Sequence, residues 1–121
     1  MAKFLYVFRG GGYATPGEVS PTEIQQHLAK WSAWTNSLLS AGRLVGAHPL
    51  EHPPTGKTLR GKDRIVTDGP FAESKDLVSG TLIVEADSLA DATELARDCP
   101  ILEFDGSVEV RPLLSWAKPS P

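Results

Sequence analysis

The sequence predicts an α+β domain in which an antiparallel sheet carries two helices on one face. Three observations point there. Strand-like and helix-like segments follow the order β-α-β, a short hairpin, then β-α-β. The stretch from residue 21 to about 41 is amphipathic and carries helix signals at both ends. The strand-like runs place apolar residues on both faces of their sheet, and two helices can cover only one of them.

Residues 3–8 are aromatic and β-branched without interruption, the pattern of a strand covered on both sides. Gly10-Gly11-Gly12 closes it, and residues 10–20, rich in Gly, Pro and Thr, read as a loop. A triple glycine after a strand invites comparison with phosphate-binding loops. The next helix begins only near residue 21, however, and the Rossmann and P-loop spacings are absent, so a plain loop is expected.

Ser20-Pro21-Thr22-Glu23 supplies a capping serine, a proline at the first helical position and a carboxylate three residues after the cap. The helix is expected from Pro21 to about Ala41, with Gly42 taking the left-handed stop. Its apolar stripe is Ile24, Leu28, Trp31, Trp34 and Leu38. Residues 43–48 form a second strand, halted by Pro49. Pro53-Pro54 and Gly56 break the chain before a small hairpin, residues 57–60 and 63–67 around Gly61-Lys62. Asp68-Gly69-Pro70 is a turn. Residues 80–86 read as a strand. A second helix starts at Ser88 with Asp91 and runs to about Asp98, with Leu89, Ala92, Leu95 and Ala96 inside and Pro100 barring its continuation. Residues 107–113 form the last strand. One domain over residues 1–113 with a proline-rich tail, 114–121, fits the length of 121 residues.

Two β-α-β halves with strands of this kind predict a ferredoxin-like, split-βαβ sandwich with an inserted β-hairpin. The sheet face away from the helices then needs a cover, and a second copy of the chain is the natural one.

Composition narrows the function. Net charge is −3, with eight Lys/Arg against four Asp/Glu in residues 1–67 and four against eleven in residues 68–121. Such asymmetry predicts complementary surfaces that meet within the fold or across a dimer. A mildly acidic chain is not expected to bind nucleic acid, which calls for a basic face. The longest apolar run near the N-terminus, Phe4 to Phe8, is too short for a signal-peptide core or a membrane helix. One cysteine, Cys99, allows no internal disulfide, and three histidines without ligand spacing predict no metal. A cytoplasmic protein without a cofactor is the expectation.

The segment Asp68-Gly69-Pro70-Phe71-Ala72-Glu73-Ser74-Lys75-Asp76 resembles the signature of the DGPF branch of YCII-like proteins. Ala41-Gly42-Arg43-Leu44-Val45-Gly46 and Val108-Glu109-Val110-Arg111-Pro112 fit the same resemblance, which spans residues 3 to about 113. It implies a dimeric α+β barrel, with two ferredoxin-like sheets packed face to face. It also implies a helix histidine paired with an acidic residue near the helix end as an acid–base dyad. His27 falls at the histidine position. The acidic position falls near Ser40, where no carboxylate stands, so Asp68 or Glu73 would have to fold back as partner.

The candidate catalytic residues are therefore His27 and Asp68, with Trp31, Trp34, His48, Phe71, Glu73 and Lys75 as candidates for binding a small molecule. An imidazole titrating near ~6.5 suits proton transfer, and tryptophans beside it suit an apolar or aromatic ligand. Each has a plainer alternative. His27 would be a core-edge histidine, His48 a strand-end residue, the tryptophans core, and the DGPF segment a turn plugged by Phe71. Lys57, Arg60, Lys62 and Arg64 read as charges guarding an exposed hairpin edge, and Cys99 as a packed thiol. Two functions follow. One is a small-molecule-binding homodimer with lyase- or isomerase-like acid–base activity. The other is a non-catalytic dimeric sensor, linked by the resemblance to alternative sigma factors.

Overall fold

The computed structural model describes residues 1–10, 20–51, 55–69, 77–104 and 106–114. The strands are β1 (Ala2–Arg9), β2 (Leu44–Pro49), β3 (Lys57–Arg60), β4 (Ile65–Asp68), β5 (Val78–Ala86) and β6 (Ser107–Pro112). The helices are α1 (Pro21–Ser40) and α2 (Leu89–Ala96), followed by a 3-10 helix at Pro100–Phe104. Four strands form one antiparallel sheet in the order β2-β5-β1-β6, and β3 pairs with β4 as a separate hairpin. Each helix carries the chain across one intervening strand, so the main sheet is the split-βαβ arrangement the element order predicts.

Local chemistry sets the ends of α1. The Ser20 hydroxyl accepts from the Glu23 N–H at 3.2 Å, and Pro21 sits where its missing N–H costs nothing. At the other end Gly42, with φ of 71°, donates to the Leu39 carbonyl at 3.0 Å, and Arg43 donates to Leu38 at 2.9 Å. This pair of bonds is the Schellman closure, and the left-handed residue in it favours glycine. Ser88 caps α2 by accepting from the Asp91 N–H at 3.1 Å. That helix ends at Ala96, earlier than expected, and the chain passes into the 3-10 helix at Pro100.

Strand alternation places Phe4, Tyr6 and Phe8 of β1 and Leu82, Val84 and Ala86 of β5 under the helices, where they are buried with Trp34 and Leu38. The Tyr6 hydroxyl donates to the Ala92 carbonyl, tying α2 to the central strand. Burial pushes that phenol up to about 12. Leu5, Val7 and Ile83 point to the other face and stay partly exposed. The stripe of α1 differs from the expected one. His27, Trp34 and Leu38 are its buried residues, while Leu28 is 53% exposed. The reason lies in the 3-10 helix, whose Phe104 ring stands edge-on to the His27 imidazole at 4.4 Å and so draws that side of α1 inward.

Among the described residues, four ion pairs join a cation of the basic half to a carboxylate of the acidic half: Arg9–Glu109, Lys30–Glu103, Arg43–Asp91 and Lys57–Asp68. The expected meeting of complementary charge therefore occurs within one chain. No helix is long and apolar enough to cross a membrane among the described residues.

Candidate functional site

A cavity of about 350 Å³ opens between α1 and the β2–β5 end of the sheet. β1 contributes Phe8 to its wall, α1 contributes His27, Leu28, Trp31 and Thr35, β2 contributes Ala47, His48 and Pro49, and β5 the run Ser79–Leu82, with Ile101 from the 3-10 helix. The helix period brings His27 and Trp31 onto one side of α1. The β2 run brings His48 to the rim, with its side chain on the same sheet face as Thr81 and Ile83.

The walls are held in place. Trp31 donates its indole N–H to His27 Nε2 at 2.8 Å and meets the Phe8 ring edge-on, centroids 5.2 Å apart. Thr35 donates to the Trp31 carbonyl at 2.9 Å. Behind His27, Lys30 contacts both carboxylate oxygens of Glu103 at 3.1 Å, which ties α1 to the 3-10 helix. Burial lowers the His27 pKa below its usual value. The Glu103 charge opposes that shift and the Lys30 charge adds to it. A neutral imidazole that accepts at Nε2 carries its proton on Nδ1, which is shut off from solvent.

His27 and Trp31 thus share one cavity, with His48 at its rim. Trp34 stands apart in the core, stacked on Tyr6 with its indole N–H on the Leu95 carbonyl at 3.1 Å. Asp68 ends β4 on the hairpin, paired with Lys57 at 2.5 Å, with its side chain 85% exposed. It does not line the cavity. Ser40 ends α1, and Glu103 is the carboxylate whose charge reaches His27. Phe71, Glu73 and Lys75 lie outside the described residues, as do the triple-glycine loop beyond Gly10, His52 and the tail beyond Leu114. No cluster of metal-ligating side chains occurs among the described residues. Burial pushes the Cys99 thiol up to about 11, far from a reactive thiolate.

Sequence reasoning missed Phe8, Thr35, Thr81 and Ile101 as wall residues. Phe8 reads as part of a covered strand, and Ile101 lies past the proline that ends the second expected helix. The two threonines carry no signal until the helix is laid over the strands.

Comparison with known proteins adds three findings. The profile of the YCII-related domain matches residues 11–117. A protein of Rhizobium meliloti (strain 1021), described as uncharacterised, is 35% identical over 97 residues, 78% of this chain and 78% of the relative. Among solved structures, a 5-chloro-2-hydroxyhydroquinone dehydrochlorinase from Burkholderia phenoliruptrix AC1100, in complex with 2,5-dihydroxybenzoquinone, is similar. It superposes with a TM-score of 0.49 at 18% identity, over 94% of this chain and 95% of that one.

Proposed function

The chain belongs to the YCII-related family, and from that premise we propose that it binds a small organic molecule in the cavity between α1 and the β2–β5 edge. The observation that carries this reading is one cavity, walled by Phe8, Trp31, Leu82 and Ile101, with the His27 imidazole fixed in its wall by the Trp31 indole. An apolar hollow with a few fixed polar groups is the usual form of a small-molecule site. A volume of about 350 Å³ suits a molecule of one or two rings. We place a second copy of the chain against the outer sheet face, where Leu5, Val7 and Ile83 form an apolar strip bordered by Glu109 and Arg111.

A thermal-shift panel of small ring compounds and small organic acids tests the binding reading. At least one compound is expected to raise the wild-type melting temperature by roughly 4 °C, and Trp31→Ala is expected to lose most of that gain. A panel that shifts both proteins equally, or neither, defeats it.

Proton transfer at His27, of the kind used in elimination or isomerisation, is the finer reading. Its support is the place of His27 in the cavity wall and a lowered pKa, which keeps the imidazole neutral and able to accept a proton at neutral pH. The Trp31 N–H occupies Nε2, so a substrate proton reaches that nitrogen only after the indole gives way. Turnover of a bound compound that His27→Gln abolishes without loss of binding supports catalysis. Binding without turnover leaves a sensor.

A further inference from the structure

β2 does not alternate as a regular strand does. Leu44 pairs with Val84 and Gly46 with Ile83, so β2 uses three residues where β5 uses two, and Val45 is the extra one. This is a β-bulge, which bends a strand and re-aims the side chains beyond it. Leu44 packs against the core on the α1 side of the sheet. In an unbroken strand Gly46 and His48 would follow it to that side, and an imidazole would project beneath the helix. Past the bulge the phase is reversed. Ala47 stands opposite Leu82 and Pro49 opposite Gly80, on the α1 side, while His48 stands opposite Thr81 on the outer face.

The reversal leaves the floor of the cavity nearly bare. Elsewhere the helix-facing positions of β1 and β5 carry large buried side chains, Tyr6, Phe8, Leu82 and Val84 among them. At the β2–β5 end the floor is made by Gly80 and Ala47, and both line the cavity. Packing fixes the first of these. A Cβ on Gly80 would stand 3.1 Å from the His48 carbonyl oxygen and 3.1 Å from Cα of Pro49, so a larger residue there would push β2 off β5. Ala47 lies on an edge strand and is exposed to the open space above it. Of the two floor positions, it is the one that a longer side chain occupies without parting the strands.

We propose that Ala47 is a specificity-determining residue: the bulge at Val45 turns its methyl toward the cavity, and that small side chain leaves room for the second ring of an aromatic ligand. The proposal rests on the ligand-binding reading above and deepens it to size selection at the floor. Phe8 and Trp31 supply aromatic walls that suit such a ligand. A leucine side chain is three carbons longer than a methyl, and closely packed surroundings do not yield the lost space without cost.

The test uses the full chain and two probes with one head group, benzyl alcohol with a single ring and 2-naphthalenemethanol with two. Without ligand, NMR is expected to show the Ala47 methyl in contact with the Leu82 side chain and not with that of Ile83. Binding is then followed at the Trp31 Nε1–H signal. The wild type is expected to bind both probes. Ala47→Leu is expected to bind 2-naphthalenemethanol about ten-fold more weakly and benzyl alcohol less than about three-fold more weakly. If Ala47→Leu leaves the ratio of the two affinities unchanged, the proposal is overturned while the cavity reading stands. A wild type that refuses the two-ring probe alone, or an Ala47 methyl in contact with Ile83, overturns it as well. A wild-type Trp31 signal that answers neither probe defeats the cavity reading and the size claim together, and the ligand-free methyl contacts still decide where the bulge places Ala47. If Ala47→Leu does not fold, Ala47→Val carries the same comparison with a smaller change, since a β-branched residue suits a strand.

Discussion

His27 is buried on a helix face where an aliphatic side chain would serve the core as well, and the indole N–H of Trp31 fixes its protonation chemistry. Adding a proton at Nε2 would set two N–H donors against each other in a place poor in water. Burial first holds the imidazole below its ordinary value, with Glu103 pulling the other way and the Lys30 charge adding to the lowering. The unfolded chain takes up that proton near about pH 6.5, while the fold resists it to a lower pH. Stability therefore falls as the pH drops through about 6.5 toward the folded value, and is fully present above it. Urea midpoints measured from about pH 7 to about pH 5.5 should decline in the wild type and decline less in His27→Gln. Equal declines in the two proteins would place His27 in water. The residue type and its helix position were legible in the sequence. Its partner was not, because Phe104 and Glu103 reach it from a segment far along the chain.

Each helix is specified at its ends by side chains within a few residues, so α1 begins and ends close to where sequence reasoning puts it. Gly42 shows how little this depends on the rest of the fold. A Cβ there would meet nothing within 4 Å, so the left-handed φ of 71° alone makes the position costly for other residues. Gly42→Ala should destabilise the protein by about 1 kcal/mol in urea unfolding, and Gly42→Asn by less, since asparagine tolerates that conformation better. No loss in Gly42→Ala would mean that the last turn of α1 rearranges freely. The face of α1 was less legible than its ends. Spacing alone allows Leu28 or His27 to turn inward, and the choice went to the side on which the 3-10 helix packs. The hairpin shows the same division. Turn signals placed β3 where it forms and β4 to begin two residues early, and the charges marked an exposed edge, but nothing local told that Leu59, Ile65 and Val66 would lie exposed as well.

Across the whole molecule, the split between a basic first half and an acidic second half resolves into ion pairs that stitch distant segments together. Arg43 pairs with Asp91 at 2.9 Å, and the hydrogen bond from the Asp87 N–H, then that from Arg43, hold the carboxylate below its ordinary range. Such part-exposed pairs add little stability singly and more to specificity of arrangement. Among the described residues the outer sheet face has no such internal answer. With Leu5, Val7 and Ile83 in one strip, the wild type should sediment as a dimer at about 10 μM, and Ile83→Arg should sediment as a monomer with its melting transition still cooperative. A wild type that remains monomeric through the micromolar range would remove the second copy from the proposal. By itself the sequence determined the elements, their order, the helix ends and the family, because capping, turn chemistry and strand alternation act over a few residues. Only the tertiary structure decided which side chains meet at a site. It brought His48 to the rim of the cavity shared by His27 and Trp31, and kept Trp34 in the core and Asp68 on the hairpin. Those distances depend on how α1 lies across β2 and β5, a long-range packing result that no local run of residues encodes.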